Sequence, residues 1–217
     1  MKKYDLAIFD LDGTILYTLE DLKNSLNHAL AGHGFPTRTL EEVRRFVGNG
    51  VRKLVERGAP AGTDPAELDA LYETFHEHYR QHDLDNTRPY AGVPELMERL
   101  KADGLRLAVV SNKVDYGVKD LCKRFYPGVF DAALGERPGV AKKPAPDLVN
   151  AVLAQLGISR EKAVYIGDSE VDLQTAQNAG MDEVIVSWGF RTVAELTEKG
   201  ATRIVDSPDA LYEELMK

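Results

Sequence analysis

The chain has 217 residues, 43% of them hydrophobic and 29% charged, with a formal net charge of −8. That composition is globular rather than disordered, and the negative balance argues against a nucleic-acid binder, which would usually show a basic face. Its one cysteine, Cys122, excludes an internal disulfide and any multi-cysteine metal site, which fits a reducing cytoplasm.

No stretch approaches the roughly 18 apolar residues of a membrane helix. Met1-Lys2-Lys3 leads into strand and acids without the apolar core of a signal peptide, so a cytoplasmic protein is expected. The first element is a strand, Asp5 to Phe9, whose run Leu6-Ala7-Ile8-Phe9 reads as buried on both faces. It delivers Asp10-Leu11-Asp12-Gly13-Thr14 at its carboxyl end, and Gly13 allows a sharp turn there. Acids in such a place are costly unless a cation or donors compensate them.

From Tyr17 to Arg88 the texture is helical. Thr18 with Asp21, and Thr39 with Glu42, have the spacing of capping boxes. Asp64-Pro65 places a cap residue before a proline at a first helical position. Leu19, Leu22, Leu26, Ala29 and Leu30 recur at helical spacing, as do Leu68, Leu71, Phe75 and Tyr79. Residues 17–88 are therefore expected to be a small helical domain inserted between the first two sheet strands. A body inserted after Asp10 and Asp12 can cap the site and exclude water.

From Tyr90 onward strands and helices alternate. Leu105–Val110, Ala163–Gly167, Val184–Val186 and Arg203–Val205 read as strands; Pro146–Leu156 and Val171–Ala179 read as helices. The alternation predicts an α/β fold, a mostly parallel sheet covered on both faces, formed by residues 1–16 and 89–217.

In a parallel sheet the strand carboxyl ends face one crevice. Four segments are expected there: Asp10 and Asp12; Ser111-Asn112-Lys113; Lys143-Pro144; and Gly167-Asp168-Ser169 with Asp172 one turn later. Asp10, Asp168 and the Asp12 backbone carbonyl are hard oxygen ligands suited to Mg²⁺. Ser111 and Lys143 are donors for a phosphoryl group, with Ser111-Asn112 expected both to cap the next helix and to bind phosphate. Asp10 can attack to give an aspartyl phosphate, and Asp12 can protonate the leaving oxygen and then take a proton from water.

With these residues in place, the chain resembles haloacid dehalogenase-superfamily phosphatases with a helical cap. Asp10-Leu11-Asp12-Gly13-Thr14, Ser111-Asn112-Lys113, Lys143-Pro144-Ala145-Pro146 and Gly167-Asp168-Ser169-Glu170-Val171-Asp172 match that family's four motifs in order. The resemblance implies a Rossmann-like core, Asp10 as nucleophile, Asp12 as acid and base, Ser111 and Lys143 at the phosphate, and Asp168 at Mg²⁺. Thr14 and Asp172 would support them.

Within the superfamily the chain most resembles phosphoglycolate phosphatases, through Phe46-Val47-Gly48-Asn49-Gly50 with Leu54-Val55-Glu56-Arg57, Ser187-Trp188-Gly189-Phe190-Arg191, and Gly200-Ala201. It departs from them at Tyr17-Thr18, where an acid followed by Ser or Thr is common. That position is the hinge into the cap and bears on substrate choice.

The expected activity is Mg²⁺-dependent hydrolysis of a small phosphorylated metabolite, with 2-phosphoglycolate the leading substrate and Gly48, Asn49 and Gly50 as candidate substrate contacts. A sugar-phosphate phosphatase or phosphomutase of the same fold is the alternative reading, and a non-catalytic phosphate-binding regulator a third. Neither nucleic acid nor membrane is expected as a partner, and monomer or homodimer is left open. His78 and His82, four residues apart, are read as a solvated helix face rather than a metal pair; Cys122 and Trp188 are read as packing residues.

Overall fold

The run Leu6-Ala7-Ile8-Phe9 forms β1 (Leu6–Phe9), with all four residues fully buried. This strand is the centre of a computed structural model that describes residues 3–217; Met1 and Lys2, the start of the segment expected not to be a leader, lie outside the described residues. The chain divides into two units, Met1–Leu16 with Pro89–Lys217, and Tyr17–Arg88. It passes between them through β2 (Leu16–Tyr17) and β3 (Arg88–Pro89), which pair as a two-stranded ribbon.

The unit Tyr17–Arg88 is made of α1 (Leu19–Gly32), α2 (Leu40–Phe46), α3 (Val51–Gly58) and α4 (Pro65–His82). The apolar stripe of α1 (Leu19, Leu22, Leu26, Ala29, Leu30) and that of α4 (Leu71, Phe75, Tyr79) are buried, as helical periodicity requires. Thr39 and Glu42 close a capping box at α2, and Asp64 accepts from Ala66 N–H ahead of Pro65 at α4. The cap expected from Thr18 and Asp21 is absent: Thr18 makes no side-chain cap bond. The Asp21 carboxylate instead accepts from the backbone N–H groups of Asn86 and Thr87, Asn86 Nδ2 and Thr87 Oγ1 at 2.8–3.0 Å. Four donors brought by the chain just before β3 outbid one N-terminal cap bond.

The other unit continues with α5 (Val93–Ala102), β4 (Arg106–Val114), α6 (Asp115–Phe125), β5 (Ala132–Glu136), α7 (Asp147–Leu156), β6 (Ala163–Gly167), α8 (Glu170–Ala179), β7 (Asp182–Val186), α9 (Val193–Glu198), β8 (Ile204–Val205) and α10 (Pro208–Leu215). Six strands form a parallel sheet in the order β5-β4-β1-β6-β7-β8. Phe9, the last residue of β1, is level with Val109 on one side and Ile166 on the other; β6 ends one residue further on, while β4 continues to Val114.

Both faces are packed. Ala7, Phe9, Leu107, Val109, Val164 and Ile166 join a core with α5, α6 and α10. Leu6, Ile8, Ala108, Val110, Ala163 and Tyr165 join a second core with α7 and α8. This two-residue alternation with both sides apolar explains why these strands read as continuous hydrophobic runs.

Two features differ from expectation. β5 has no strong sequence signal, because Ala-Ala-Leu-Gly-Glu lacks β-branched and aromatic residues. β4 runs on through Ser111-Asn112-Lys113 with a register irregularity between Val110 and Val114. α6 then starts after Val114 without a side-chain cap, so Ser111 and Asn112 do not cap it.

Candidate active site

Asp10 leaves β1 where the sheet ends. Its Oδ1 accepts from Leu11 N–H at 2.7 Å and pairs with Lys143 Nζ at 2.8 Å. Lys143 arrives on the loop before α7, preceded by β5 and followed by a cis bond to Pro144. Its Nζ also reaches Asp172 Oδ1 at 2.8 Å and donates to Tyr165 Oη at 3.1 Å. Its neighbour Lys142 pairs instead with Glu136 at 3.4 Å.

Asp172, fully buried in the first turn of α8, is the hub of the cluster. Its Oδ2 accepts from Asp168 N–H, Ser169 N–H and Ser169 Oγ, at 3.2, 3.1 and 2.6 Å. Asp168 is held by Thr14 Oγ1 at 3.1 Å and Phe190 N–H at 2.7 Å.

Glycines make the space for these acids. A β-carbon on Gly13, whose φ is +90°, would lie 2.5 Å from Asp168 Oδ2, and one on Gly167 would lie 2.2 Å from Asp172 Cβ. Trp188 Nε1 donates to Thr14 O at 3.0 Å and so braces the turn after β1.

Asp12 and the second motif complete the unit's polar end. Asp12 Oδ1 is buried with no hydrogen-bond partner and lies 3.6 Å from Lys113 Nζ. Ser111 is buried, and its Oγ accepts from Lys113 N–H at 3.2 Å. Asn112 Nδ2 donates to Lys143 O at 3.0 Å, tying the second motif to the third. Gly48, Asn49 and Gly50 belong to the helical unit. Both glycines have positive φ, and Asn49 Oδ1 accepts from Arg57 Nη2 at 2.8 Å.

The electrostatics follow from burial. Burial drives the Asp10 carboxyl well above the usual carboxylate range; the Lys143 charge opposes this, while Asp172 and Asp168 add to it. Asp168 is pushed up to about 7, by burial first and then by Asp172, against the donors Phe190 N–H and Thr14. Burial works against the charge on Lys143, but the carboxylates of Asp10 and Asp172 outweigh it and hold the ammonium protonated.

Asp10, Asp168 and Asp172 each present an oxygen within 4.8 Å of the others, all three buried. They are the one such group of three or more among the described residues. An all-oxygen set without nitrogen or sulfur suits a hard divalent cation, and a cation there would relieve the crowding of charge. The residues therefore fit Mg²⁺. His78 and His82, by contrast, stack with ring centroids 4.2 Å apart, and their Nδ1 atoms face Ser25 and Asp85. Cys122 is buried, and its thiol is pushed up to about 12 by burial and by Asp12.

Sequence reading places Lys113 at this site only as part of Ser111-Asn112-Lys113, with no role of its own, and does not assign Tyr165 or Gly189 to it. Tyr165 reads as a core residue of a buried strand, and only its hydroxyl betrays a polar duty.

Residues 7–186 match the family model of haloacid dehalogenase-like hydrolases, and the chain belongs to that family. It is a phosphatase of the phosphoglycolate phosphatase-like kind. A phosphoglycolate phosphatase of Mesorhizobium japonicum is 34% identical over 97% of this chain and 94% of its own length. A crystal structure from Lactobacillus delbrueckii subsp. bulgaricus, provisionally named a phosphoglycolate phosphatase, superposes with a TM-score of 0.95 at 40% identity, covering 100% and 99% of the two chains. CbbY from Rhodobacter sphaeroides, crystallised with phosphate, matches with a TM-score of 0.77 at 26% identity over 96% of each chain. No helix among the described residues is long and apolar enough to cross a membrane.

Proposed function

We propose that the chain hydrolyses 2-phosphoglycolate, or a closely similar small phosphate monoester, through an aspartyl phosphate on Asp10. The observation that carries this reading is the pairing of Asp10 Oδ1 with Lys143 at 2.8 Å inside a buried cluster of acids. Two donors hold Oδ1 and fix the carboxylate plane, which leaves Oδ2 as the attacking atom.

Asp10 Oδ2 forms a bond to phosphorus as the ester bond breaks. Asp12 gives its proton to the departing alkoxide. In the second half, Asp12 takes a proton from water, whose oxygen displaces Asp10 from phosphorus. Inorganic phosphate leaves and both acids return to their starting states. Lys143 offsets the charge of an anionic nucleophile meeting an anionic ester, and Ser111 and Asn112 contribute donors for the phosphoryl oxygens. Mg²⁺ would be held by Asp10, the Asp12 carbonyl and Asp168, with Asp172 and Thr14 fixing that set; when bound it supplies positive charge for the phosphoryl oxygens. The overall charge of −8 repels anionic substrates, so attraction is local to this cluster.

Residues 17–88 act in this reading as the cap that selects the substrate, with Gly48-Asn49-Gly50 as its contact turn and Tyr17 at its hinge. The lone, buried Cys122 agrees with a cytoplasmic setting.

The test is a kinetic panel with and without Mg²⁺, containing 2-phosphoglycolate, hexose phosphates, a sugar bisphosphate and nucleoside monophosphates. Metal-dependent release of phosphate, fastest from 2-phosphoglycolate, is expected. Preference for a hexose or sugar bisphosphate would overturn the substrate assignment. Asp10→Asn is expected to be folded and inactive; phosphate release by that variant at the wild-type rate would overturn the nucleophile.

A further inference from the structure

Lys113 carries a charge that the proposed reaction has not used. Its side chain is 4% exposed, and its Nζ stands 3.6 Å from the buried Oδ1 of Asp12. A buried ammonium is costly unless a carboxylate compensates it. The irregularity in β4 between Val110 and Val114 is what re-aims this stretch, and the Lys113 N–H to Ser111 Oγ bond fixes it locally. The stem runs past Gly117 of α6, where a β-carbon would stand 3.6 Å from Lys113 Cε and 3.8 Å from Cδ. Larger side chains at that point of α6 would crowd the lysine.

We propose that Lys113 is a positioning residue for Asp12: its charge holds the Oδ1 side, so that Oδ2 faces the leaving oxygen and, later, the hydrolytic water. The inference rests on the proposed acid and base role of Asp12. It has a consequence that depends on the ester. An alkoxide leaves poorly without a proton, whereas p-nitrophenolate leaves well without one. Loss of a positioned general acid therefore damages alkyl phosphates selectively, by roughly 10²-fold or more.

The experiment compares 2-phosphoglycolate and glycerol 2-phosphate with p-nitrophenyl phosphate, in wild type, Lys113→Met and Asp12→Ala, under saturating Mg²⁺. The reading is the ratio of alkyl to aryl kcat/KM within one preparation, so a lowered folded fraction cancels. Lys113→Gln, which keeps length and polarity without charge, replaces Lys113→Met if the latter is insoluble.

Lys113 variants are expected to lower the ratio in kcat for both alkyl esters, and Lys113→Met added to Asp12→Ala is expected to lower it no further. Equal losses on alkyl and aryl esters would overturn the inference, as would a rise in KM confined to the carboxylate-bearing 2-phosphoglycolate. Absence of Mg²⁺-dependent turnover of every ester by wild type would instead remove the phosphatase reading beneath it.

Discussion

Gly189 lies so close to Asp168 that a β-carbon there would stand 2.3 Å from the Asp168 Cβ and 2.4 Å from Oδ2. The loop after β7 thereby forms the wall against which this acid is set, and the next N–H along the chain, that of Phe190, donates to its Oδ2 at 2.7 Å.

Gly189→Ala must push Asp168 or the loop away. Overpacking of this kind costs about 1–3 kcal/mol. The same displacement separates Asp168 from Asp10 and Asp172, so the variant is expected to bind Mg²⁺ more weakly as well. Saturating Mg²⁺, at about 100 times its Kd, stabilises a protein by about 2.7 kcal/mol. Thermal melts with and without Mg²⁺ should show a clear upward shift for wild type and a much smaller one for Gly189→Ala. An equal shift in both would dissociate Gly189 from the metal site.

Lys143 compensates two buried carboxylates at once, Asp10 and Asp172. Lys143→Met leaves both without their cation, and breaking a buried pair in this way costs about 3–5 kcal/mol. Removing a donor aimed at developing charge costs about 10²–10³-fold in kcat. Tyr165→Phe removes only one hydroxyl from the same ammonium, so its cost should be near 1 kcal/mol. Urea denaturation and phosphate-release kinetics on the two variants check the order: Lys143→Met worse than Tyr165→Phe in both. The reverse order would contradict the placement of Lys143 as the shared cation of Asp10 and Asp172.

Asp21 holds the helical unit together where α1 meets the chain leading to β3. Asp21→Ala strands the N–H groups of Asn86 and Thr87, Asn86 Nδ2 and Thr87 Oγ1. Stranded buried donors cost about 1–3 kcal/mol each and do not add fully. A loss of about 3 kcal/mol is expected, which for a chain of this size lowers Tm by about 6–12 °C. A differential scanning calorimetry trace within 2–3 °C of wild type, roughly 1 kcal/mol on the same scale, would show that these bonds are replaced by water.

These residues also mark what sequence reading could reach. β1 and β6 were legible because both faces are buried and every residue is apolar or Gly. β5 was not, because Gly135 sits where a β-carbon would meet Lys113 O at 2.5 Å and Asp115 Cα at 2.6 Å. Close approach of β4 demands glycine there and erases the strand signal. Asp10, Lys143 and Asp168 could be found because each stands at a turn after or before a recognisable element. Tyr165 could not, since an inward aromatic in a buried strand looks like packing until Lys143 and Asp172 are known to lie within 3.1 and 3.3 Å of its hydroxyl. Asp21 escapes local reading for a related reason: a helix-start position carries its own plausible local duty, and partners 65 residues away leave no trace in local spacing.

His78 gives the helical unit an expected sensitivity to acid. Its ring stacks on His28 of α1 at 4.1 Å and on His82 of α4 at 4.2 Å, with Ser25 Oγ 3.0 Å from Nδ1. Glu77, Gln81 and Thr74 line the same cavity of about 470 Å³, and Asp85 holds His82. Burial first, then the neighbouring imidazoles, lower the pKa of His78, while Asp85 opposes them. A histidine whose pKa is lower folded than unfolded binds fewer protons in the native state. Its stabilising contribution is then complete above the unfolded pKa, near 6.5. It is lost as pH falls from there through the folded value. The buried acids Asp10 and Asp168, with raised values, act in the opposite sense, so wild type alone does not isolate the effect. The decisive quantity is the difference in unfolding free energy between wild type and His78→Gln, followed by urea denaturation from pH 7.5 to pH 5. That difference should move against wild type as the pH is lowered, and a difference independent of pH would show that the imidazole stack carries no proton-linked stability.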